Sequence, residues 1–342
     1  MSDAAAFAEV SDNCPDAICG LMPAFEHHPL VAVVGPTGSG KSELSLAIAR
    51  AFCGEIVNYD SVQMYRGFDV GSAKLPLSDR RAIPHHLIDV VDPGADMTAG
   101  QYAREANKIL ADVAVREKLP VLAGGTGFYL RALLDGLSPA PMRDAGLRQR
   151  LIRVVQRRPG ALFRFLRRFD PSAAARIHAN DRQKLIRAVE ISLLAREPPS
   201  HVQARKRTPL TGYAALKIGL LPERSQLHDR LNLRTEWMFG HGLLEETRAL
   251  LDAGVPPTAK PMMSLGYKQA IAVLSGTLAL ADAVSECQTR TRQYAKRQIT
   301  WFRAERDVQW FAGFGSESRL QTEVLDAVRA WLRSFKQFAI VR

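Results

Sequence analysis

Between Leu30 and Phe52 the chain reads an apolar run, LVAVV, then a glycine-rich turn, then ELSLAIARAF, in which Leu44, Ala47, Ile48 and Ala51 share one helical face. The turn is Gly35-Pro36-Thr37-Gly38-Ser39-Gly40-Lys41-Ser42 and has the form G-x-x-x-x-G-K-[ST]. Between a strand and a helix this pattern leaves few folds open. The loop amides and the helix N-terminus surround phosphate oxygens, Lys41 adds a point charge, and Ser42 offers a hydroxyl to Mg²⁺. The loop does not select a nucleotide, because any diphosphate ester fits the same cradle.

Further apolar runs follow at spacings that suit alternating strands and helices: EIVNYDS, HHLIDVVDP, a helix around Ala103 to Val115, and the strand PVLAGGTG. The expected fold is α/β, with a P-loop NTPase-like parallel sheet core. After Asp135 to Pro141 the character changes to arginine-rich helical sequence, with Leu147, Leu151, Val154 and Val155 on one face and Leu162, Phe165, Leu166 and Phe169 on the next. Pro198 and Pro199 are expected to close this segment before YAALKIGLLP resumes as a buried strand. The organisation expected is therefore a core of 30–139 and 213–315, an inserted all-helical domain of 140–212, and a C-terminal helix over 316–342. That last helix carries Leu320, Val324, Leu325, Val328, Trp331 and Leu332 on its apolar face. Residues 1–29 show no period and are expected to form a flexible extension.

The net charge of +11 matters because of where it sits. Residues 143–207 hold 17 Lys or Arg against 5 Asp or Glu, whereas the rest of the chain holds 29 against 30. A surplus confined to one helical segment reads as the electrostatic footprint of a polyanion partner; solvated arginine faces are the bland alternative. The four cysteines, Cys14, Cys19, Cys53 and Cys287, lack C-x-x-C spacing, which argues against a zinc site or a disulfide framework and for reduced thiols. No apolar run has membrane-spanning length and the first thirty residues do not resemble a secretory signal, so a cytoplasmic location is expected.

Several residues carry chemistry. Asp60 follows the strand EIVNY, at the sheet edge where ligands bind, and could act as a base, ligate Mg²⁺ or cap a helix. Asp89 and Asp92 in LIDVVDP are the candidates for an acidic Mg²⁺ partner of the loop. Gly124, Gly125 and Thr126 put small groups and one hydroxyl at the carboxyl end of another strand, where Thr126 could equally be an N-cap. From Thr289 to Arg303 a helix mixes basic and aromatic residues: Arg292, Lys296 and Arg303 fall on one face, Tyr294, Gln298 and Trp301 on another. Such a helix suits RNA, or else buries its aromatics in the core.

Taken together, GPTGSGKS, Asp60-Ser61-Val62-Gln63-Met64-Tyr65, HHLIDVVDP, AGGTGFYLRALLDG, IHANDRQKLIRAVE, LGYKQ and AKRQITWFR stand in an order that resembles the tRNA dimethylallyltransferase family over about residues 30–312. The resemblance implies transfer of dimethylallyl from its diphosphate to the exocyclic N6 of the adenine beside the anticodon, position 37, in tRNAs reading codons that begin with U. It implies Asp60 as the base, Thr126 beside it in the channel, and Gly35 to Ser42 as the diphosphate cradle, with Mg²⁺ as cofactor at Ser42. It further implies tRNA contacts at Asp60, Ser61, Val62 and Gln63, at Thr126 and Arg148, and at Gln183, Lys184, Leu185, Ile186 and Arg187. Gly266, Tyr267 and Lys268 belong to the same implied set, as do Lys296, Arg297, Gln298, Ile299, Thr300, Trp301, Phe302 and Arg303. Lys268 stands where several members have arginine, and lysine cannot reproduce a bidentate guanidinium contact. Partners are then a tRNA anticodon stem-loop and dimethylallyl diphosphate, with no protein partner required.

Two rivals share parts of this pattern. A free-adenylate isopentenyltransferase needs the loop and the base but no basic insertion. A small-molecule kinase needs a lid and an ATP-ring pocket of which the sequence gives no sharp sign. Charge reversal at Arg153, Arg157 and Arg164 is expected to weaken tRNA binding and to flatten its salt dependence by roughly 0.7–0.9 per lost phosphate contact, read as the slope of log affinity against log salt. An unchanged slope would place those arginines in solvent.

Overall fold

The computed structural model describes residues 27–340. Most of the expected N-terminal extension, residues 1–26, therefore lies outside the described residues. The chain divides into two compact units, one running to Leu133 and resuming at Thr211, the other comprising Leu134–Leu210.

The larger unit is built on a fully parallel six-stranded sheet of order β3-β2-β4-β1-β5-β6. Strand β1 (His28–Val34) runs two residues earlier than the apolar run suggests and is buried almost throughout. The loop Gly35–Gly40 leads into α1 (Lys41–Ala51), then β2 (Gly54–Asn58), α2 (Leu77–Arg81), β3 (His85–His86), α3 (Ala99–Val115), β4 (Leu119–Ala123) and α4 (Gly127–Leu134). Helix α3 starts at a reciprocal cap: Thr98 Oγ1 accepts from the Gln101 amide while Gln101 Oε1 accepts from the Thr98 amide.

The segment HHLIDVVDP yields only the two-residue β3, where a longer strand is expected. Leu87 (φ +61°) and Asp89 (φ +56°) turn the backbone left-handed directly after it. Asp89 is there engaged by Lys74 and Arg80, which hold its carboxylate below the usual range despite the cost of burial. The short strand is fastened from its other side: His86 Nε2 lies 2.6 Å from Glu55 Oε2, and Arg116 closes a fork on the same carboxylate at 2.9 and 2.6 Å.

The smaller unit contains α5 (Ala145–Arg157), α6 (Ala161–Phe169), α7 (Pro171–Arg176), α8 (Arg182–Ala195) and α9 (Pro199–Ala204). Aspartates start three of these helices: Asp144, Asp170 and Asp181 accept from the amides of Leu147, Ala173 and Lys184. Pro199 opens α9 instead of closing the segment, as befits a residue with no amide to satisfy at N1. The unit has its own core, with Leu151, Leu162, Leu166, Leu185, Ile186 and Val189 buried. Val154, Phe165 and Phe169, expected inside, are exposed, and the two phenyl rings stack on each other at 5.6 Å.

The chain then returns through β5 (Tyr213–Leu220), α10 (Arg224–Gly240), α11 (Leu243–Asp252), α12 (Tyr267–Leu274), α13 (Leu280–Arg303), β6 (Val308–Phe311) and α14 (Ser318–Ile340). Helix α14 belongs to the larger unit: Leu320, Val324, Val328 and Leu332 join Val31, Val33, Leu44 and Ile48 in one buried cluster. Among the described cysteines Cys287 is a buried free thiol, and Cys14 and Cys19 lie outside the described residues. No helix among the described residues is long and apolar enough to cross a membrane.

Because Leu166 is fully buried in the smaller unit's own core, Leu166→Ala should lower stability by about 2–5 kcal/mol. A urea titration checks this through the midpoint of the helical signal.

Candidate active site

The carboxyl ends of β1, β2 and β4 converge on one cavity of about 230 Å³. Its floor is the phosphate loop, with Thr37, Gly38, Gly40, Lys41 and Ser42 in the wall. Gly38 and Gly40 have φ of +79° and +85°, and a Cβ at Gly40 would stand 2.7 Å from the Gly315 amide nitrogen, so the loop's curvature depends on bare glycine here. Lys41 Nζ donates to the Pro36 carbonyl at 2.7 Å. Burial lowers its pKa to about 8, with the Asp60 carboxylate pulling the other way and Arg234 adding to the depression.

Asp60 is held by contacts around the ends of β2 and β4. Its amide donates to Asn58 Oδ1 at 2.9 Å, and its Oδ1 accepts from the Val62 amide at 2.9 Å. No helix follows Asp60, so its side chain closes a turn rather than capping a helix, and the same residue also lines the cavity. A Cβ on Gly124 would lie 2.5 Å from the Tyr59 carbonyl carbon and 2.6 Å from the Asp60 nitrogen. Gly125 is similarly constrained, since its Cβ would stand 2.8 Å from Gln298 Nε2 and 3.0 Å from Asp60 Oδ2. The two glycines at the end of β4 are therefore the space into which the Asp60 turn fits.

Thr126 lines neither this cavity nor its neighbour. Its Oγ1 accepts from the Ser61 amide at 3.0 Å and its hydroxyl donates to Ser61 Oγ at 3.1 Å, which makes it a tether for the Asp60–Ser61 turn. Its backbone carbonyl accepts from the Tyr129 amide at 2.8 Å at the start of α4, but its hydroxyl is engaged with Ser61 rather than with a helix amide.

A second cavity, of about 290 Å³, shares Thr37, Asp60, Ser72, Ala73, Arg234 and Tyr294 with the first. Beyond that common wall it turns apolar, with Met238, Phe239, Leu243, Met263 and Leu265. Asp60 thus stands where a phosphate cradle meets a greasy chamber. Arg234 stands there too: its Nη2 donates to Thr37 Oγ1 at 2.8 Å, and burial lowers its pKa without removing its charge near neutrality. Arg230 flanks the cradle, with Nη2 on Glu43 at 3.1 Å and the guanidinium 4.9 Å over the Phe314 ring. Neither arginine is visible as a site residue in the sequence, because α10 carries no motif and only its packing on α13 aims them.

Of the residues implied on α13, Gln298 is buried and stitches the site together, accepting from the Thr37 amide at 2.7 Å and donating to the Gly125 carbonyl at 2.8 Å. Phe302 is fully buried and Ile299 packs with Leu227 and Leu231. Trp301 is half-buried, with Arg131 4.1 Å over its ring and Gly127 leaving the room it occupies. Lys296, Arg297, Thr300 and Arg303 are exposed, and Arg297 also borders the apolar cavity. The helix thus buries Gln298 and Phe302 on one face and leaves Lys296, Arg297 and Arg303 exposed on another.

Elsewhere, Ser61 and Val62 line the apolar cavity and Gln63 the phosphate cavity. Gly266 lines the apolar cavity, Lys268 is exposed, and Tyr267 is fully buried with its hydroxyl 2.5 Å from Glu246 Oε1, so it presents no surface to a macromolecule. In the smaller unit Gln183 and Lys184 are exposed while Leu185 and Ile186 are core. Arg148 and Arg187 flank the fully buried Glu190 at 3.5 and 2.8 Å. Asp89 and Asp92 do not line the phosphate cavity; their charges are taken by Lys74 and Arg80, and by Arg66.

A phosphate loop at the head of a parallel sheet, facing a carboxylate at the mouth of an apolar chamber, defines an α/β protein that binds a phosphorylated ligand with an apolar portion. Residues 63–305 match the IPP transferase family and residues 28–81 the isopentenyl transferase family. The chain is 55% identical to a tRNA dimethylallyltransferase of Solibacter usitatus over 89% of its length and 99% of that protein's. It is 50% identical to one of Koribacter versatilis, over 88% and 98%. Among solved structures it resembles the tRNA isopentenylpyrophosphate transferase of Bacillus halodurans (TM-score 0.68, 33% identity, 91% of this chain and 99% of that one). It also resembles a eukaryotic dimethylallyltransferase acting on tRNA (TM-score 0.71, 26% identity, 89% and 77%). The chain belongs to the IPP transferase family.

With Lys41 titrating at about 8, affinity for inorganic diphosphate should fall as pH rises through that value, because the cradle loses its point charge. Binding should take up a proton in the same range, since a bound anion favours the ammonium. Calorimetry in buffers of different ionisation enthalpy reads both, and Lys41→Met should leave only the pH dependence that the ligand's own ionisation contributes.

Proposed function

We propose that this chain transfers the dimethylallyl group of dimethylallyl diphosphate to N6 of the adenine at position 37 of tRNAs reading codons that begin with U. The observation that carries the reading is the placement of Asp60 on the wall shared by the phosphate cavity and the apolar cavity. A donor with an anionic head and a C5 tail fits such a pair of spaces, and its reacting carbon lies at their junction.

The exocyclic amine of adenine is a weak nucleophile, because its lone pair is delocalised into the ring. The allylic C–O bond must therefore lengthen early, with positive charge growing on carbon and negative charge on the departing diphosphate. Loop amides, Lys41 and the Thr37–Arg234 pair stand ready to receive that negative charge. As the N6–C bond forms, the amine's proton passes to Asp60 and diphosphate leaves. Gln298 keeps the loop and the β4 end in register, so that base and cradle hold a constant separation.

Among the described residues no group of three or more His, Cys, Asp or Glu could hold a metal by itself. The Ser42 hydroxyl in the cradle wall would hold Mg²⁺ beside the diphosphate, and the ion would supply further charge neutralisation to the leaving group. The arginine-rich smaller unit, with its surplus of 17 basic over 5 acidic residues in 143–207, supports a role in gripping the RNA from which the adenine is extruded.

Incubation with an unmodified anticodon stem-loop, dimethylallyl diphosphate and Mg²⁺ should add one dimethylallyl group to the RNA, read by mass. Asp60→Ala should reduce turnover by about 10²–10⁴-fold with tRNA affinity little changed. Prenylated AMP without RNA product, or phosphate transfer from ATP, would replace this reading by the corresponding rival.

A further inference from the structure

The wall common to the two cavities includes a short strap, Ser72–Ala73, with Gly71 continuing it along the apolar side. Ala73 sits at φ +52°, a conformation that a residue with a Cβ keeps only when its surroundings impose it. The surroundings here are specific. Glu246, on α11, accepts through one carboxylate from three successive strap amides, those of Asp69, Val70 and Gly71, at 2.9, 2.8 and 3.3 Å. The Tyr267 hydroxyl donates to the same carboxylate at 2.5 Å, and its ring fills the space that a side chain on Gly71 would need, 2.5 Å from the would-be Cβ. From the other side Gln63 Nε2 donates to the Ser72 and Ala73 carbonyls at 3.1 and 3.4 Å, and the Gln63 amide contacts Asp60 Oδ1 at 3.4 Å. Lys74, nearly inaccessible, closes the strap by donating to the Tyr65 carbonyl at 2.7 Å and to Asp69 at 2.8 Å.

We propose that Glu246 is a positioning residue for the alkyl portion of the donor: by gathering the Asp69–Gly71 amides it fixes the strap against which the chain beyond the diphosphate is confined. Glu246 lines neither cavity and touches no proposed reacting atom, so it acts only through the strap. A carboxylate that accepts from three amides and a hydroxyl has no neutral substitute of equal capacity; an amide keeps one accepting oxygen and turns two donors toward groups that also donate. The hydrogen bonds of Glu246 go to Asp69, Val70, Gly71 and Tyr267 and not to the phosphate loop, which should hold its anion without it. The proposal rests on the alkyl diphosphate reading of the two cavities.

The test compares Glu246→Ala and Glu246→Gln with the parent, in calorimetric titrations with inorganic diphosphate and with dimethylallyl diphosphate in the absence of RNA. Glu246→Ala should weaken dimethylallyl diphosphate at least tenfold while leaving inorganic diphosphate within twofold, and Glu246→Gln should fall between it and the parent. Leu332→Ala, a core truncation in α14, serves as a control for general destabilisation and should change neither affinity. Equal losses for both ligands in Glu246→Ala, or no loss for either, would overturn the proposal. Amide hydrogen exchange at Asp69–Gly71 in the ligand-free protein should rise at least tenfold in Glu246→Ala; unchanged exchange would overturn the anchoring itself. A parent that binds inorganic diphosphate but no alkyl diphosphate would instead overturn the donor reading, with the exchange result still deciding whether Glu246 holds the strap.

Discussion

The close approach of the β4 end to the Asp60 turn is the constraint on which the rest of the site depends. With no side chain at Gly124, the end of β4 lies against the Tyr59–Asp60 peptide, and Gly125 leaves room for the Asp60 carboxylate and the Gln298 amide together. Gln298 then ties the same β4 end to the phosphate loop through the Thr37 amide. The Asp60 turn, loop and strand end are thereby tied into one cluster, and a preorganised cluster of that kind needs no reorganisation to stabilise charge.

Around that cluster the protein distributes its charges unequally. Carboxylates away from the cradle are neutralised locally: Asp89 by Lys74 and Arg80, Glu55 by His86 and Arg116, with its pKa held to about 2 against the cost of burial. Inside the cavity the balance is positive, with Lys41, Arg230 and Arg234 facing Asp60 and Glu43. A buried ammonium titrating at about 8 and a buried guanidinium are costly to hold, and they persist where an anion is to be received.

The smaller unit follows a different logic. Its apolar residues close a core of its own, and its arginines are spent on the surface, apart from Arg148 and Arg187 beside the buried Glu190. A sheet-borne site with a fixed geometry and a separate basic helical unit suit the two halves of one task, since small-molecule chemistry needs fixed distances and polyanion binding needs charge over a wide area.

The phosphate loop, the parallel α/β core and the basic character of 143–207 were legible in the chain itself, because each follows from local spacing: strand, turn and helix in succession, hydrophobic periodicity, and charge density along a segment. So was Asp60 as a carboxylate at a strand's end. What local spacing does not contain is which side chains from distant segments meet. Arg230 and Arg234 are ordinary polar positions on α10 until that helix packs beside α13, and Gln298 and Tyr267 read as contact residues until burial turns them inward. That the Thr126 hydroxyl meets Ser61 is also absent from local spacing. The shortness of β3, beside an Asp89 engaged by Lys74 and Arg80, and the strap held by Glu246 were likewise decided by tertiary structure, since each depends on hydrogen bonds between residues well separated in sequence, whose energies exceed local propensity.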